Sequence, residues 1–115
     1  MTISVTESQG ARALKVHVTD AVLHVELADG RTLTVPTAWY PRLAHGSDRE
    51  RSRWELIGGG VGIHWPELDE DISIEGLLAG RRSGETSQSL KRWLSLRVSA
   101  RAGRPTKAMT RRPRR

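Results

Sequence analysis

LKVHVTDAVLHVELADGRTLTVP, residues Leu14 to Pro36, decides the fold. Leu14, Val16 and Val18 alternate with Lys15, His17 and Thr19, the period of a strand with one buried face. Ala21–Leu27 and Thr32–Val35 read the same way. Asp20 supplies the first turn. Ala28-Asp29-Gly30-Arg31 supplies the second, and its Asp-Gly pair is a hairpin signal because both residues accept positive φ. Connections this short make three antiparallel strands. Residues 1–12, upstream, read as a flexible arm.

Downstream, Pro36 stops the third strand. Thr37-Ala38-Trp39-Tyr40-Pro41-Arg42-Leu43 turns into a short helix. Ser47 with Glu50 fits a capping box, and a helical segment over Asp48–Trp54 follows. Trp54–Ile57 and Val61–Trp65 read as two strands around a Gly58-Gly59-Gly60 turn or bulge. Pro66 and the acidic run Glu67, Asp69, Glu70, Asp71 turn into Ile72-Ser73-Ile74. Glu75–Ala79 makes one helical turn ending at Gly80. Arg81–Thr86 is a polar linker. Ser87–Ala102 reads as an amphipathic helix with Leu90, Trp93, Leu94 and Val98 on one stripe. The fold class is α+β: a small, mostly antiparallel sheet with a three-strand meander, short helices and further strands, then the C-terminal helix and a basic tail. The divisions are 1–12, 13–80, 81–102 and 103–115.

The chain has 115 residues and no cysteine, and its net charge is +6. That length fits one domain. Only 37% of residues are hydrophobic, but four are tryptophans, so a modest core is expected. Disulfides and thiol chemistry are excluded. The start is polar and no apolar run approaches the ~20 residues of a membrane span, so a cytoplasmic protein without a membrane partner is expected. The charge is uneven. Residues 1–80 hold seven basic and twelve acidic side chains, a net −5, while 81–115 hold twelve and one, a net +11. An acidic body with a basic extension points to an anionic partner. With so few large apolar residues, 103–115 cannot offset its ordering entropy and is expected to be disordered in isolation.

Two strings, Val35–Leu43 and Gly62-Ile63-His64-Trp65-Pro66-Glu67-Leu68-Asp69-Glu70-Asp71-Ile72-Ser73, stand in order with Asp29-Gly30-Arg31 and Gly76-Leu77-Leu78. Over Val16–Gly80 the chain resembles the bacterial domain-of-unknown-function family 2442. The resemblance implies an α+β fold of three strands, a helical crossing and further strands. Members are small bacterial proteins. Some are fused to a helix-turn-helix domain, for which 81–115 is too short. Others neighbour a second small family, implying a toxin–antitoxin-like pair. No catalytic residue is carried over.

The candidate motifs have plainer readings. The acidic run lacks a calcium-loop pattern and reads as a solvated turn with one carboxylate capping the next helix. His64 has a conceivable carboxylate partner in Asp69 or Asp71, but no Gly-x-Ser-x-Gly elbow supplies a nucleophile. His17, His24 and His45 have no zinc-ligand spacing. The glycine run lacks a P-loop ending, and Trp39, Tyr40, Trp54 and Trp65 read as core. No catalytic residue, metal or cofactor is assigned.

The first functional expectation is a non-enzymatic binding or regulatory protein, an antitoxin-like partner of another small bacterial protein. Its sheet would recognise that partner, and Leu90, Trp93, Leu94 and Val98 would pack on the domain or anchor the partner. The alternative is a DNA or RNA binder with Arg97, Arg101, Arg104, Lys107, Arg111, Arg112, Arg114 and Arg115 on phosphates. A third is a small hydrolytic enzyme centred on His64.

Overall fold

The computed structural model describes residues 11–103, with side chains to Val98. The 1–12 arm, apart from its last two residues, and the 103–115 tail, apart from Gly103, therefore lie outside the described residues. The chain divides after Gly84 into two units.

The first unit opens with the meander: β1 (Ala13–Val18), β2 (Val22–Leu27) and β3 (Thr32–Pro36), in spatial order β1-β2-β3. Leu14 departs from the simple alternation. Ala13 opposes Leu27 and Lys15 opposes Glu26, so Leu14 is the extra residue of a β-bulge. The bulge puts Ala13 on the inner face with Val16 and Val18 and leaves Leu14 61% exposed. The second turn also differs from a two-residue hairpin. Leu27 N–H donates to the Arg31 carbonyl (2.8 Å), which closes a three-residue loop. Only Gly30 takes positive φ (+94°) there. Asp29 instead accepts the Arg31 backbone N–H (3.0 Å) and pairs with its guanidinium.

A 3₁₀ turn (Thr37–Trp39) leads into α1 (Pro41–Ala44), with Pro41 at its first position, where no amide partner is needed. Thr37 is buried because both its polar groups are bound: Oγ1 donates to the Thr19 carbonyl (2.9 Å) and N–H to that of Ala21 (3.0 Å). Helix α2 (Asp48–Ser52) carries the expected capping box. Glu50 N–H donates to Ser47 Oγ (3.1 Å) and Ser47 N–H to the Glu50 carboxylate (2.9 Å).

The further strands form a second three-stranded sheet, β4 (Glu55–Ile57), β5 (Gly62–Trp65) and β6 (Glu70–Ser73), all antiparallel with β5 central. Its tie to the meander runs through the glycine turn. Ala13 N–H donates to the Gly60 carbonyl (2.8 Å). Gly60 has φ +110°, and a Cβ there would sit 2.6 Å from the Ala13 carbonyl oxygen. Only glycine permits that approach. Helix α3 (Ile74–Leu78) is capped by Ser73, whose Oγ accepts from Gly76 N–H (2.9 Å). A serine thus does the capping expected of a carboxylate.

Leu23, Val25, Leu43, Ile63, Trp65 and Leu68 are fully buried, so both sheets, α1 and the acidic turn all feed the core. Tyr40 joins them, but Trp39 and Trp54 are only half-buried, contrary to the expectation that all four aromatics are core. Each lies beside a strand end instead of on an inner face, and the Arg82 guanidinium covers the Trp39 ring at 4.6 Å. The linker is correspondingly fixed at its start. Tyr40 Oη donates to the Arg81 carbonyl (2.8 Å) and Ser83 N–H to that of Trp39 (3.1 Å).

The second unit contains α4 (Ser87–Gly103). Thr86 Oγ1 accepts from Ser89 N–H (3.0 Å), a cap that starts the helix. Among the described residues no helix is long and apolar enough to cross a membrane.

Candidate functional site

In an antiparallel sheet, directly opposed residues share a face. In the second sheet Glu55 opposes His64 and His64 opposes Asp71, so an acid–imidazole–acid row crosses its outer face. His64 Nδ1 is hydrogen-bonded to Asp71 Oδ1. Strand register therefore selects Asp71, not Asp69, as the partner. The bond to Asp71 lifts the His64 pKa above its ordinary 6.5, against the opposing effect of desolvation, and the charges of Asp71, Glu55 and Asp69 add to the rise. The row lies open, with the two side chains 33% and 69% exposed. Ser73 lies two residues beyond Asp71 on the same face, but its Oγ already caps α3.

This pair has a definite pH signature. A folded pKa above the unfolded value means that the pair stabilises the fold fully below about pH 6.5. That contribution is lost as the pH rises through the folded pKa. An NMR titration of the His64 ring should show a midpoint above 6.5, and Asp71→Asn should lower it. An unchanged midpoint in the variant would show that Asp71 does not hold the imidazolium.

Two other carboxylates of the acidic turn are bound to basic side chains. Glu67 pairs with Arg53 (2.7 Å). Asp69, at φ +53°, takes Arg42 on both its carbonyl (3.0 Å) and its carboxylate (3.2 Å). The turn is thus cross-linked to α1 and to the residue after α2 more than it is simply solvated. Among the described residues, no group of three His, Asp or Glu side chains is arranged to hold a metal.

A groove lies elsewhere in the first unit. It measures about 560 Å³ and is lined by Val16–Asp20 on one side and by Asp48, Arg51, Ser52 and Trp54 on the other. Its first wall is the end of β1, an outer strand of its sheet, and the turn that follows it. Arg51 forms its floor and is 6% exposed. Its Nε donates to the Leu43 carbonyl (2.8 Å), one terminal nitrogen to that of Ala44 (2.9 Å) and the other to Asp48 (3.1 Å). Its own carbonyl accepts from Trp65 Nε1–H (3.0 Å). Composition and spacing do not set this residue apart from the other arginines, beyond one signal, its place three residues after Asp48 in a capped helix. A smaller groove of about 240 Å³ follows β6, between Glu70–Ser73 and Arg81–Gly84. There burial raises the pKa of Tyr40, and the Glu70 charge adds to the rise.

The residues singled out in the C-terminal third are only partly within the described region. The Arg97 guanidinium lies over the Trp93 ring at 4.6 Å. Arg101 falls within α4, its side chain undescribed, and Arg104, Lys107, Arg111, Arg112, Arg114 and Arg115 lie outside the described residues. Of the apolar stripe Leu90, Trp93, Leu94 and Val98, Val98 is 65% exposed, and off the stripe Leu96 is 63% exposed.

Two small antiparallel meanders tied at a glycine turn, with an open groove on one sheet edge, define a small α+β domain. The particular family follows from the sequence: the model of the proteins of unknown function DUF2442 matches residues 13–83, and the chain belongs to that family. A crystal structure of a protein of unknown function from Rhodospirillum rubrum is 33% identical. The match covers 70% of this chain and 96% of that one, with a TM-score of 0.57. A solution structure of an uncharacterized protein from Chromobacterium violaceum shares the fold at 21% identity. It has a TM-score of 0.58, over 78% and 83% of the two chains. No curated protein matches the chain.

Proposed function

We propose that this protein is a non-enzymatic, cytoplasmic binding protein whose partner is another small bacterial protein, in the manner of an antitoxin-like regulator. The observation that carries this reading is the groove of about 560 Å³ along the outer edge of β1. A strand edge beside a concavity offers main-chain hydrogen bonds and a shaped wall together, which suits recognition of a polypeptide. The His64–Asp71 pair supports no competing chemistry as strongly. It sits on an open sheet face, and the serine nearest in register is engaged at a helix cap.

Co-expression with the product of the adjacent gene tests the proposal. The expected result is a stoichiometric complex that co-elutes on size exclusion. Absence of a complex at every salt concentration overturns it.

A second reading, nucleic-acid binding, is favoured by the net +11 of residues 81–115. It requires that the full chain retard DNA or RNA at low salt and that a chain lacking residues 103–115 retard neither.

A further inference from the structure

We propose that the β1 edge takes up an extended, arginine- or lysine-bearing segment of the partner protein as an added strand. This deepens the protein-binding reading and rests on it.

The hydrogen-bond register identifies the available groups. Thr19 N–H donates to the Val22 carbonyl (2.9 Å), so Thr19 and Val22 are a bonded pair. Bonded pairs alternate along an antiparallel ladder. His17 with His24 and Lys15 with Glu26 are therefore bonded too, and Val16 and Val18 turn their N–H and C=O groups away from β2. β1 is the outer strand of its sheet, and these two residues line the groove. Among the described residues, no hydrogen bond meets their outward groups. The side chains of both are buried. The exposed feature is thus the backbone itself, two donors and two acceptors spaced for a strand.

The length and the charge of the groove define its occupant. The strand residues Val16 to Val18 span about 7 Å at ~3.3 Å per residue, and Thr19 and Asp20 of the turn continue the wall, enough for a short extended segment. Two carboxylates, Asp20 and Asp48, stand at the walls, and the Asp48 side chain is 96% exposed. Arg51, the cation among the lining residues, is buried and donates to two carbonyls as well as to Asp48. The accessible charge of the groove is therefore negative. An added strand would pair its backbone with Val16 and Val18, and its basic side chains would meet Asp20 and Asp48. Trp54, half-buried at the wall, offers an aromatic surface to the aliphatic part of such a side chain.

The probe is a capped hexapeptide alternating arginine and valine, added to the full-length, isotope-labelled protein. Its control replaces each arginine with glutamate. The arginine peptide should shift the Val16–Asp20 amides and slow hydrogen exchange at Val16 and Val18 at least about tenfold, as new main-chain bonds do. The glutamate peptide should do neither. The exposed double variant Asp20→Lys/Asp48→Lys should weaken binding by about tenfold, from two surface charge contacts reversed. The proposal is overturned if the shifts map away from β1, if the glutamate peptide binds equally, or if Val16 and Val18 are already protected in the free protein. It is also overturned if the peptide binds only after truncation at Gly103, since the chain's own basic end would then be the occupant. A co-expressed complex that forms undiminished with the double variant refutes the β1 proposal alone. Failure of any complex to form refutes the protein-binding reading beneath it.

Discussion

Trp65→Ala should lose about 3–5 kcal/mol of folding stability, the range for truncating a buried aromatic side chain. Small domains hold about 5–15 kcal/mol in total, so the loss takes between about a fifth and all of the stability. Trp65 is fully buried on the inner face of β5. The alanine therefore leaves a cavity in the core beside α2. The indole also donates from Nε1 to the Arg51 carbonyl (3.0 Å). Trp65→Phe separates the two contributions. It keeps most of the ring and removes the donor, and it should cost about 1–3 kcal/mol, the penalty of an unsatisfied buried acceptor with some lost packing. Urea denaturation monitored by far-UV circular dichroism measures both. A loss below about 1 kcal/mol for the alanine variant would mean that the core collapses onto the site and that β5 is not its centre.

What could be read from the sequence was what local periodicity and turn chemistry encode. The three strands of the meander, the capping box at Ser47 and Glu50 and the glycine turn all lie within a few residues of their own signals. The details that escaped depend on contacts between distant residues. Leu14 looks like a core residue by alternation, yet the bulge expels it, and the bulge answers to a bond between Ala13 and Gly60. Trp39 and Trp54 look like core by composition. Burial of an aromatic depends on whether a strand face or a strand end carries it, and spacing alone does not say which.

The candidate site shows the same division. His64 and an acidic partner could be suspected because both lie in one motif, and register settled the choice on Asp71. The β1 groove could not be suspected. Its walls come from Val16–Asp20 and from Asp48–Trp54, and nothing in either segment records that α2 stands beside the first strand and not the third. An edge is a property of sheet order, which the meander leaves symmetrical until the second half of the chain is placed. The β1 proposal therefore depends on the three-dimensional placement of residues that carry no motif.

Arg51 is the residue where that placement has its largest electrostatic consequence. Arg51→Met should cost about 2–4 kcal/mol, since hydrogen bonds from charged groups are worth ~1.5–3 kcal/mol and at least one acceptor is left unmatched. The Leu43 carbonyl also accepts Gly46 N–H (3.1 Å), so it keeps a partner. The Ala44 carbonyl loses the guanidinium that reaches it. Asp48 is exposed and needs no replacement, so this is not a buried ion pair whose removal could be neutral. Arg51→Lys distinguishes charge from shape. An ammonium lacks the planar fork that reaches Leu43 and Ala44 together, and the lysine variant should recover less than half of the loss. Near-complete recovery would mean that charge alone suffices and that the fork geometry is incidental. A double-mutant cycle with Trp65→Phe carries the test further. The indole bonds the Arg51 backbone while the Arg51 side chain fixes α2 against α1, so both act on the position of one helix. Coupling of at least about 0.5 kcal/mol is expected. Additive losses would mean that β5 and α1 hold α2 independently, and the groove wall would then survive the loss of either support.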